Sequence, residues 1–246
     1  MLNQKLSVVI PCLNEGKTIY ENIKKINIYL SGRIGSFEII AVNDGSFDNT
    51  LAELQRTQKE VPIKIVNATE NSGKGKAVRD GILSASDESE IVMFLDADLG
   101  IPVEELEKFL EELKKGADIV IASRFVPGFK VTRPVLWYRK IMEKIFRFLR
   151  KVILNSWKVE DTQCGFKVFK KTIAKKIFGM ATIERFAFDS EIIFIAKKFG
   201  YIIKELPITL QNPKKSSVRI LLDPINMFFA LIKIRLYDML GKYKWK

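Results

Sequence analysis

Two hydrophobic rhythms alternate along the first half of the chain. "LSVVIP" (6–11), "FEIIAV" (37–42), "IKIVNA" (63–68), "EIVMFLD" (90–96) and "DIVIASR" (118–124) are short apolar runs rich in β-branched residues. That is the signature of buried strands. Between them, "EGKTIYENIKKINIYL" (15–30) places Ile19, Ile23, Ile26 and Leu30 at helical spacing. "FDNTLAELQRTQKE" (47–60), "KAVRDGILSAS" (76–86) and "PVEELEKFLEELKKG" (102–116) read as helices in the same way. Near-continuous apolar strands separated by helices predict an α/β fold with a mostly parallel sheet, covered on both faces. Ligands in such sheets bind beyond the carboxyl ends of the strands.

The second half carries a different pattern. In "RKIMEKIFRFLRKVIL" (139–154), Ile141, Ile145, Phe148 and Val152 share one helical face, with Met142, Phe146, Leu149 and Ile153 beside it. Lys140, Lys144, Arg147 and Lys151 fall on the opposite side. A helix of this kind, expected over 139–157, suits a bilayer interface; packing on the domain or on a second copy in a homodimer is the other reading. "DPINMFFALIKIRLYDML" (223–240) is a second amphipathic candidate, with Asp223 as N-cap and Pro224 in the first turn. Its apolar residues extend around much of the helix, so membrane and packing readings both stand. The expected division is one α/β unit over 1–220 and a basic amphipathic tail over 221–246.

Charge sharpens this picture. The formal net charge of +12 is concentrated. Residues 124–158 hold ten Lys/Arg against one acid, and residues 214–246 hold eight against two, leaving the remainder slightly acidic. Basic blocks with interleaved apolar residues point to an anionic partner: nucleic acid, a phosphate-bearing substrate or anionic lipid. The two cysteines, Cys12 and Cys164, are far apart and form no disulfide framework. An apolar strand begins within a few residues of the N-terminus, so no secretory leader is expected. No uncharged apolar run approaches the ~20 residues that span a bilayer.

Candidate chemistry sits at the predicted strand ends. "PCLNE" follows the first strand, with Pro11, Asn14 and Glu15; "NDGS" follows the second, with Asp44. "DADLG" follows the fourth, with Asp96 and Asp98, and Ser123-Arg124 follow the fifth. A single carboxylate after a strand is usually a turn former or cap. Carboxylates at three ends imply a site. An extended D-x-D would turn both aspartates to one side, as hard oxygen ligands for Mg²⁺ or Mn²⁺. The chain contains no histidine, which argues against a zinc hydrolase. Neither a Walker A sequence nor G-x-G-x-x-G follows the first strand, which removes the main support for P-loop and dinucleotide readings. "NSGKGKA" (71–77) opens a helix with Lys74, and reads as a phosphate approach or a plain glycine turn. A basic nucleic-acid-binding module would account for the charge but gives no reason for the strand-end carboxylates. Cys164 reads as a small buried filler, since a thiol nucleophile would need an activating base.

Taken together, "VVIPCLNE", "NDGSFDNT", "GKGKAVRDGI" and "DADLG" resemble the successive motifs of inverting family-2 glycosyltransferases of the GT-A fold. "EDTQCGFKVFK" (160–170) and "ERFAFDSEI" (184–192) are similar to the dolichyl-phosphate β-glucosyltransferase and polyprenyl-phosphate glycosyltransferase branch. The resemblance implies transfer of a sugar, glucose from UDP-glucose first, to dolichyl or polyprenyl phosphate, without nucleic acid, by a peripheral protein on the cytoplasmic face of a membrane. GDP-mannose is the alternative donor. It implies that Pro11, Asn14, Glu15, Asp44, Lys74, Asp96, Gln163, Asp189 and Glu191 hold the nucleotide sugar, and that Asp96 and Asp98 bind the metal. It gives Arg124, Arg139 and Asp161 catalytic positions, Asp161 as base or as a positioning group. Arg124, Arg139, Lys215 and Arg219 would face the acceptor phosphate. Two departures stand out. Mannosyl relatives often carry Gln where this chain has Gly100, and the family's Ser-Lys-Leu is Ser217-Val218-Arg219 here. The membrane-spanning segments of several relatives are missing.

Overall fold

A computed structural model describes residues 5–132, 137–211 and 222–244, apart from the side chains of 137–139 and 222. Five strands, β1 (Leu6–Cys12), β2 (Phe37–Asp44), β3 (Ile63–Ala68), β4 (Ile91–Leu95) and β5 (Ile119–Ser123), alternate with helices in the first half. The helices are α1 (Ile19–Arg33), α2 (Thr50–Gln58), α3 (Lys74–Leu83) and α4 (Leu106–Lys114), the last preceded by a 3₁₀ turn at Val103–Glu105. After them come a short strand β6 (Lys130–Val131), α5 (Trp137–Ile153), β7 (Phe166–Lys170), α6 (Lys171–Met180), α7 (Phe188–Lys198), β8 (Ile203–Pro207), β9 (Thr209–Leu210) and α8 (Leu222–Met239). The expected helix over 139–157 stops at Ile153, because Asn155 turns the chain with a φ of 48°.

Seven strands form one sheet in the order β3-β2-β1-β4-β7-β5-β8. All neighbours are parallel except β7, which runs antiparallel to both β4 and β5. The reversal matters for the site. The carboxyl ends of β1, β2, β4 and β5 lie along one edge, and the chain entering β7 arrives at that same edge. A separate small ladder pairs β6 with β9 in parallel.

The period-two alternation of each strand feeds two cores. Val8, Ile10, Ile39, Met93 and Val120 face α1 and α4, where Ile19, Ile23, Ile26, Leu30, Leu106 and Phe109 complete one apolar layer. Val9, Ile40, Phe94, Ile121 and Phe169 face α3, α6 and α7 on the other side. Phe94 is the hub of that second layer, with ring centroids 6.2 Å from Phe169 and 5.8 Å from Phe188. Such pairs add about 0.5–1.5 kcal/mol each beyond area burial.

α8 joins the second layer through Leu231 and Ile234, and packs on α5 and α7. The segment expected as an appended tail is thus anchored, with Tyr243 wholly buried. Its hydroxyl donates to Glu191 Oε1 at 2.7 Å. Glu191 also accepts from the Thr182 hydroxyl and from the backbone N–H groups of Thr182 and Ile183. A buried carboxylate is tolerated only when hydrogen-bonded in this way. Among the described residues no helix is long and apolar enough to cross a bilayer. Tyr243→Phe removes one donor from the Glu191 cluster and should cost about 1–3 kcal/mol of unfolding free energy in urea. A midpoint equal to wild type would show the contact to be dispensable.

Candidate active site

Each strand end contributes through a local device. After β1, Asn14 adopts a φ of 56°; its N–H donates to Ser46 Oγ at 3.0 Å, and its side-chain oxygen accepts from Phe47 N–H at 3.1 Å. The loops after β1 and β2 are thereby tied together. Pro11 is the penultimate residue of β1, and Glu15 N–H donates to Thr50 Oγ1 at 2.8 Å. Asp44, the last residue of β2, turns its carboxylate toward the start of α3, accepting from Ser72 N–H at 2.9 Å and Gly73 N–H at 3.0 Å. Burial pushes the Asp44 carboxyl up, and those two N–H groups offset part of the effect. Gly73 has a φ of 111°, a conformation that side-chain-bearing residues rarely adopt.

The D-x-D segment is not extended. β4 ends at Leu95, and Leu99 N–H closes a turn onto Asp96 C=O at 3.2 Å. Asn22 of α1 braces this turn by donating to Ala97 C=O at 2.8 Å. The expected side-by-side placement of a flat strand therefore does not apply, and the two aspartates have different surroundings. Asp96 pairs with Lys74 Nζ at 2.5 Å. Burial would lower the Lys74 ammonium, but the Asp96 and Asp189 carboxylates outweigh it and hold it above its ordinary value. Asp98 accepts from Gly100 N–H at 2.9 Å through Oδ1. Oδ2 of Asp98 has no donor among the described residues.

Gly165, at the entry to β7, lies against Asp96. Its C=O accepts the Asp96 N–H at 3.1 Å. A Cβ at this position would come within 2.1 Å of Asp96 Oδ2, so any side chain here would displace the carboxylate. Two residues on, Lys167 is fully buried beneath the site. It donates to Asp189 at the start of α7 and to Cys164 C=O, and its ammonium stands 5.0 Å from the Phe94 ring centroid. Burial raises the Asp189 carboxyl despite the neighbouring Lys167 and Lys74. Cys164 is buried, with its thiol pushed up to about 12, in keeping with a filler.

A bidentate charged contact joins the end of β5 to the segment before β7. Arg124 donates to Asp161 from Nε at 2.7 Å, from Nη2 at 3.0 Å and from its backbone N–H at 3.0 Å. Gln163 N–H adds a fourth bond to Asp161 at 3.0 Å. Burial alone would raise the Asp161 carboxyl; the Arg124 guanidinium overcomes it and holds the group below its ordinary value. Glu143 of α5 meets Arg124 Nη1 at 2.9 Å on the outer side. The Gln163 side chain reaches Ser190 Oγ at 3.2 Å.

Of the residues singled out in the sequence, Pro11, Asn14, Glu15, Asp96, Asp98, Arg124, Asp161 and Gln163 all line the carboxyl edge. Asp44, Asp189 and Glu191 direct their carboxylates to protein partners beneath it. Arg139, Lys215 and Arg219 lie outside the residues whose side chains are described. Lys167 and Glu143 escaped sequence reading. A lone lysine within the apolar "FKVF" and a lone acid within a basic helix were the available signals.

This sheet, with its reversed β7 and acidic carboxyl edge, is a GT-A fold, the class of the solved glycosyltransferases it superimposes on. The family model described as Glycosyl transferase family 2 matches residues 7–178, and the chain belongs to that family and is a glycosyltransferase. It is 34% identical over 97% of its length to a dolichyl-phosphate beta-glucosyltransferase of Trichomonas vaginalis, covering 75% of that protein. The human dolichyl-phosphate beta-glucosyltransferase is 30% identical, with 98% of this chain and 78% of that protein aligned. Among solved structures, glucosyl-3-phosphoglycerate synthase from Mycobacterium tuberculosis, in complex with Mn²⁺, UDP and phosphoglyceric acid, superimposes with a TM-score of 0.65 at 17% identity. The match covers 99% of this chain and 80% of that one.

The Arg124–Asp161 pair makes a pH prediction. A carboxyl held below its ordinary value of 3.8 stabilises the fold above that pH, and the contribution is lost as pH falls through the lower folded value. Asp161→Asn should therefore cost about 3–5 kcal/mol at neutral pH, as expected for stripping one partner from a buried pair. The gap to wild type should narrow below pH 3.8. Urea titrations across pH check this; a gap independent of pH would exclude the ionised pair.

Proposed function

We propose that the enzyme transfers glucose from UDP-glucose to dolichyl or another polyprenyl phosphate, with inversion, at a membrane surface. The observation that carries the reading is the placement of the Arg124–Asp161 pair at the carboxyl edge, directly beneath a helix with an apolar outer face. On α5, Ile141, Ile145, Phe148 and Val152 are exposed, and Lys140 and Lys144 are exposed beside them and not on the opposite side as expected, because about 100° per residue puts each within about 100° of Ile141. Phe146, Leu149 and Ile153 pack inward on the second core. Arg147 and Lys151 do not join the outer charge, since both pair with Glu160. Trp157 is exposed just beyond the helix, a residue type that favours the membrane–water boundary. A phosphate site next to such a face suits a lipid phosphate. The dolichyl-phosphate relatives named above support the same acceptor and glucose as the sugar.

Among the described residues no cluster of three candidate metal ligands forms, and Asp96 is taken up by Lys74, but Asp98 keeps one carboxylate oxygen available, which fits a hard divalent cation whose other ligands come from the substrate diphosphate and water. Mg²⁺ or Mn²⁺ held there would neutralise the charge that grows on the leaving diphosphate. Asp96, fixed by Lys74 and by the close backbone at Gly165, orients the nucleotide. A phosphate oxygen of the acceptor forms the new bond to the anomeric carbon as the bond to UDP breaks on the opposite face. Phosphate monoesters have a second pKa near ~6, so the attacking oxygen is largely deprotonated at neutral pH. A strong base is not demanded. Asp161 accepts four hydrogen bonds and is kept ionised by Arg124, which makes it a positioning residue. Arg124, held in line by it, is the positive group that would face phosphate.

The test is lipid-extractable label formed from polyprenyl phosphate with radiolabelled UDP-glucose, UDP-N-acetylglucosamine or GDP-mannose. UDP-glucose should give the product; product from GDP-mannose alone would overturn the donor. Asp98→Ala should lower turnover on the order of 10²–10³-fold, as loss of one stabiliser of developing charge does elsewhere. Unchanged turnover would remove the cation from Asp98. Replacing Lys140 and Lys144 together by Gln should weaken flotation with anionic liposomes roughly 10–30-fold, at about 1 kcal/mol per lysine. Undiminished flotation would place the membrane elsewhere on the protein.

A further inference from the structure

The Arg124 guanidinium has three donor nitrogens, and two of them, Nε and Nη2, grip Asp161. The third, Nη1, points toward α5 and is taken by Glu143 at 2.9 Å. Glu143 is the single acid between residues 124 and 158, in a segment with ten Lys/Arg. Its position is therefore informative: a helix that carries basic charge almost throughout brings its one carboxylate to the arginine assigned to phosphate. With Asp161 and Glu143 both ionised, the three groups carry one net negative charge. That combination repels an incoming phosphate dianion.

We propose that Glu143 occupies the acceptor-phosphate position on Arg124, and that the acceptor takes this place when the outer face of α5 engages lipid. The inference rests on the reading above, in which Arg124 meets phosphate and α5 meets the membrane.

Helix geometry links the two events. Glu143 lies two residues from both Ile141 and Ile145, about 200° around the helix from each. The side of α5 that carries Glu143 therefore faces inward when the apolar stripe faces out. Outward movement of that stripe takes the carboxylate away from Nη1. The far end of α5 is tethered. Arg150 is buried, donating to Ser156 Oγ at 2.6 Å and to Val159 C=O at 2.8 Å. Arg147 stacks on Phe125 with its guanidinium 4.0 Å from the ring centroid, and both Arg147 and Lys151 hold Glu160. Glu143 is about 10 Å along the axis from the Arg150 anchor, on the side toward the helix start. A small tilt about that anchor separates Glu143 from Arg124 while Asp161 stays bound.

The experiment compares wild type with Glu143→Gln, in which the amide keeps the shape but not the charge. Calorimetric titration with geranyl phosphate, without vesicles, should show affinity raised about tenfold or more in the variant, as removal of a like charge predicts. Arg124→Gln in the Glu143→Gln background should abolish that gain. In the transfer assay, Glu143→Gln should lower the acceptor KM in buffer, with kcat and donor KM within about twofold of wild type. Anionic vesicles should lower the wild-type KM toward the variant's. Equal affinity for geranyl phosphate in both proteins would overturn the proposal, whether or not sugar is transferred. So would a loss of kcat at unchanged acceptor KM, which marks a structural role. Tighter binding by the variant without transfer from any donor would sustain the phosphate site and overturn the proposed reaction instead.

Discussion

The reversed strand β7 is the constraint on which the site depends. Were the sheet wholly parallel, every strand would deliver only its carboxyl end to the edge that binds ligand. Inserting one antiparallel strand between β4 and β5 brings a chain entry to the same edge. The residues ahead of it, 161–165, then lie between the turn after β4 and Arg124 after β5. Their contacts run both ways: Gly165 packs on Asp96, and Asp161 binds Arg124. A slip of one residue in the β7 register would turn Lys167 into the opposite core and move Gly165 off Asp96.

Charge in this protein is ordered by depth. Beneath the edge, Lys167 and Asp189 form a pair sealed from water, and Glu191 collects donors from a loop and from the C-terminal Tyr243. Buried groups of this kind add little net stability, because desolvation offsets their attraction. They do fix one arrangement, since any alternative leaves a buried charge unpaired. At the edge itself, Lys74–Asp96 is partly open to solvent, and Arg124 is partly open above a buried Asp161. The scaffold charges are thus saturated by protein, whereas Asp98 keeps one oxygen without a donor among the described residues and the outer Nη1 of Arg124 meets Glu143 from α5.

α5 connects that edge to the outer surface. Its inward residues complete the second core, its outward stripe is apolar, and its one acid meets Arg124. A single helix therefore has an apolar outer stripe and a carboxylate on Arg124, the two features that the proposed lipid phosphate acceptor would meet. The exposed apolar residues of α8, among them Phe229 and Leu236, belong to a helix packed against α5. Two neighbouring helices with outward apolar residues make a broader face than either supplies alone.

Much was legible in the sequence because it depends on local pattern. The β-branched runs and helical spacings determined the five early strands and their helices, and the strand-end residues marked the carboxyl edge on which the candidate site is built. Asp161 and Gln163 were marked by the order of the short motifs around them. What periodicity could not supply was long-range. Nothing local distinguishes an antiparallel "FKVF" from a parallel one, and the turn at Asp96–Leu99 rather than an extended strand depends on Asn22 bracing it from another helix. The partners of Lys167, Glu191 and Glu143 lie 22, 52 and 19 residues away at Asp189, Tyr243 and Arg124. A sequence fixes which side chains carry charge and which face of an element is apolar. Only the packed chain decides which charges meet, because burial makes an unpaired charge too costly and selects the arrangement in which each has its partner.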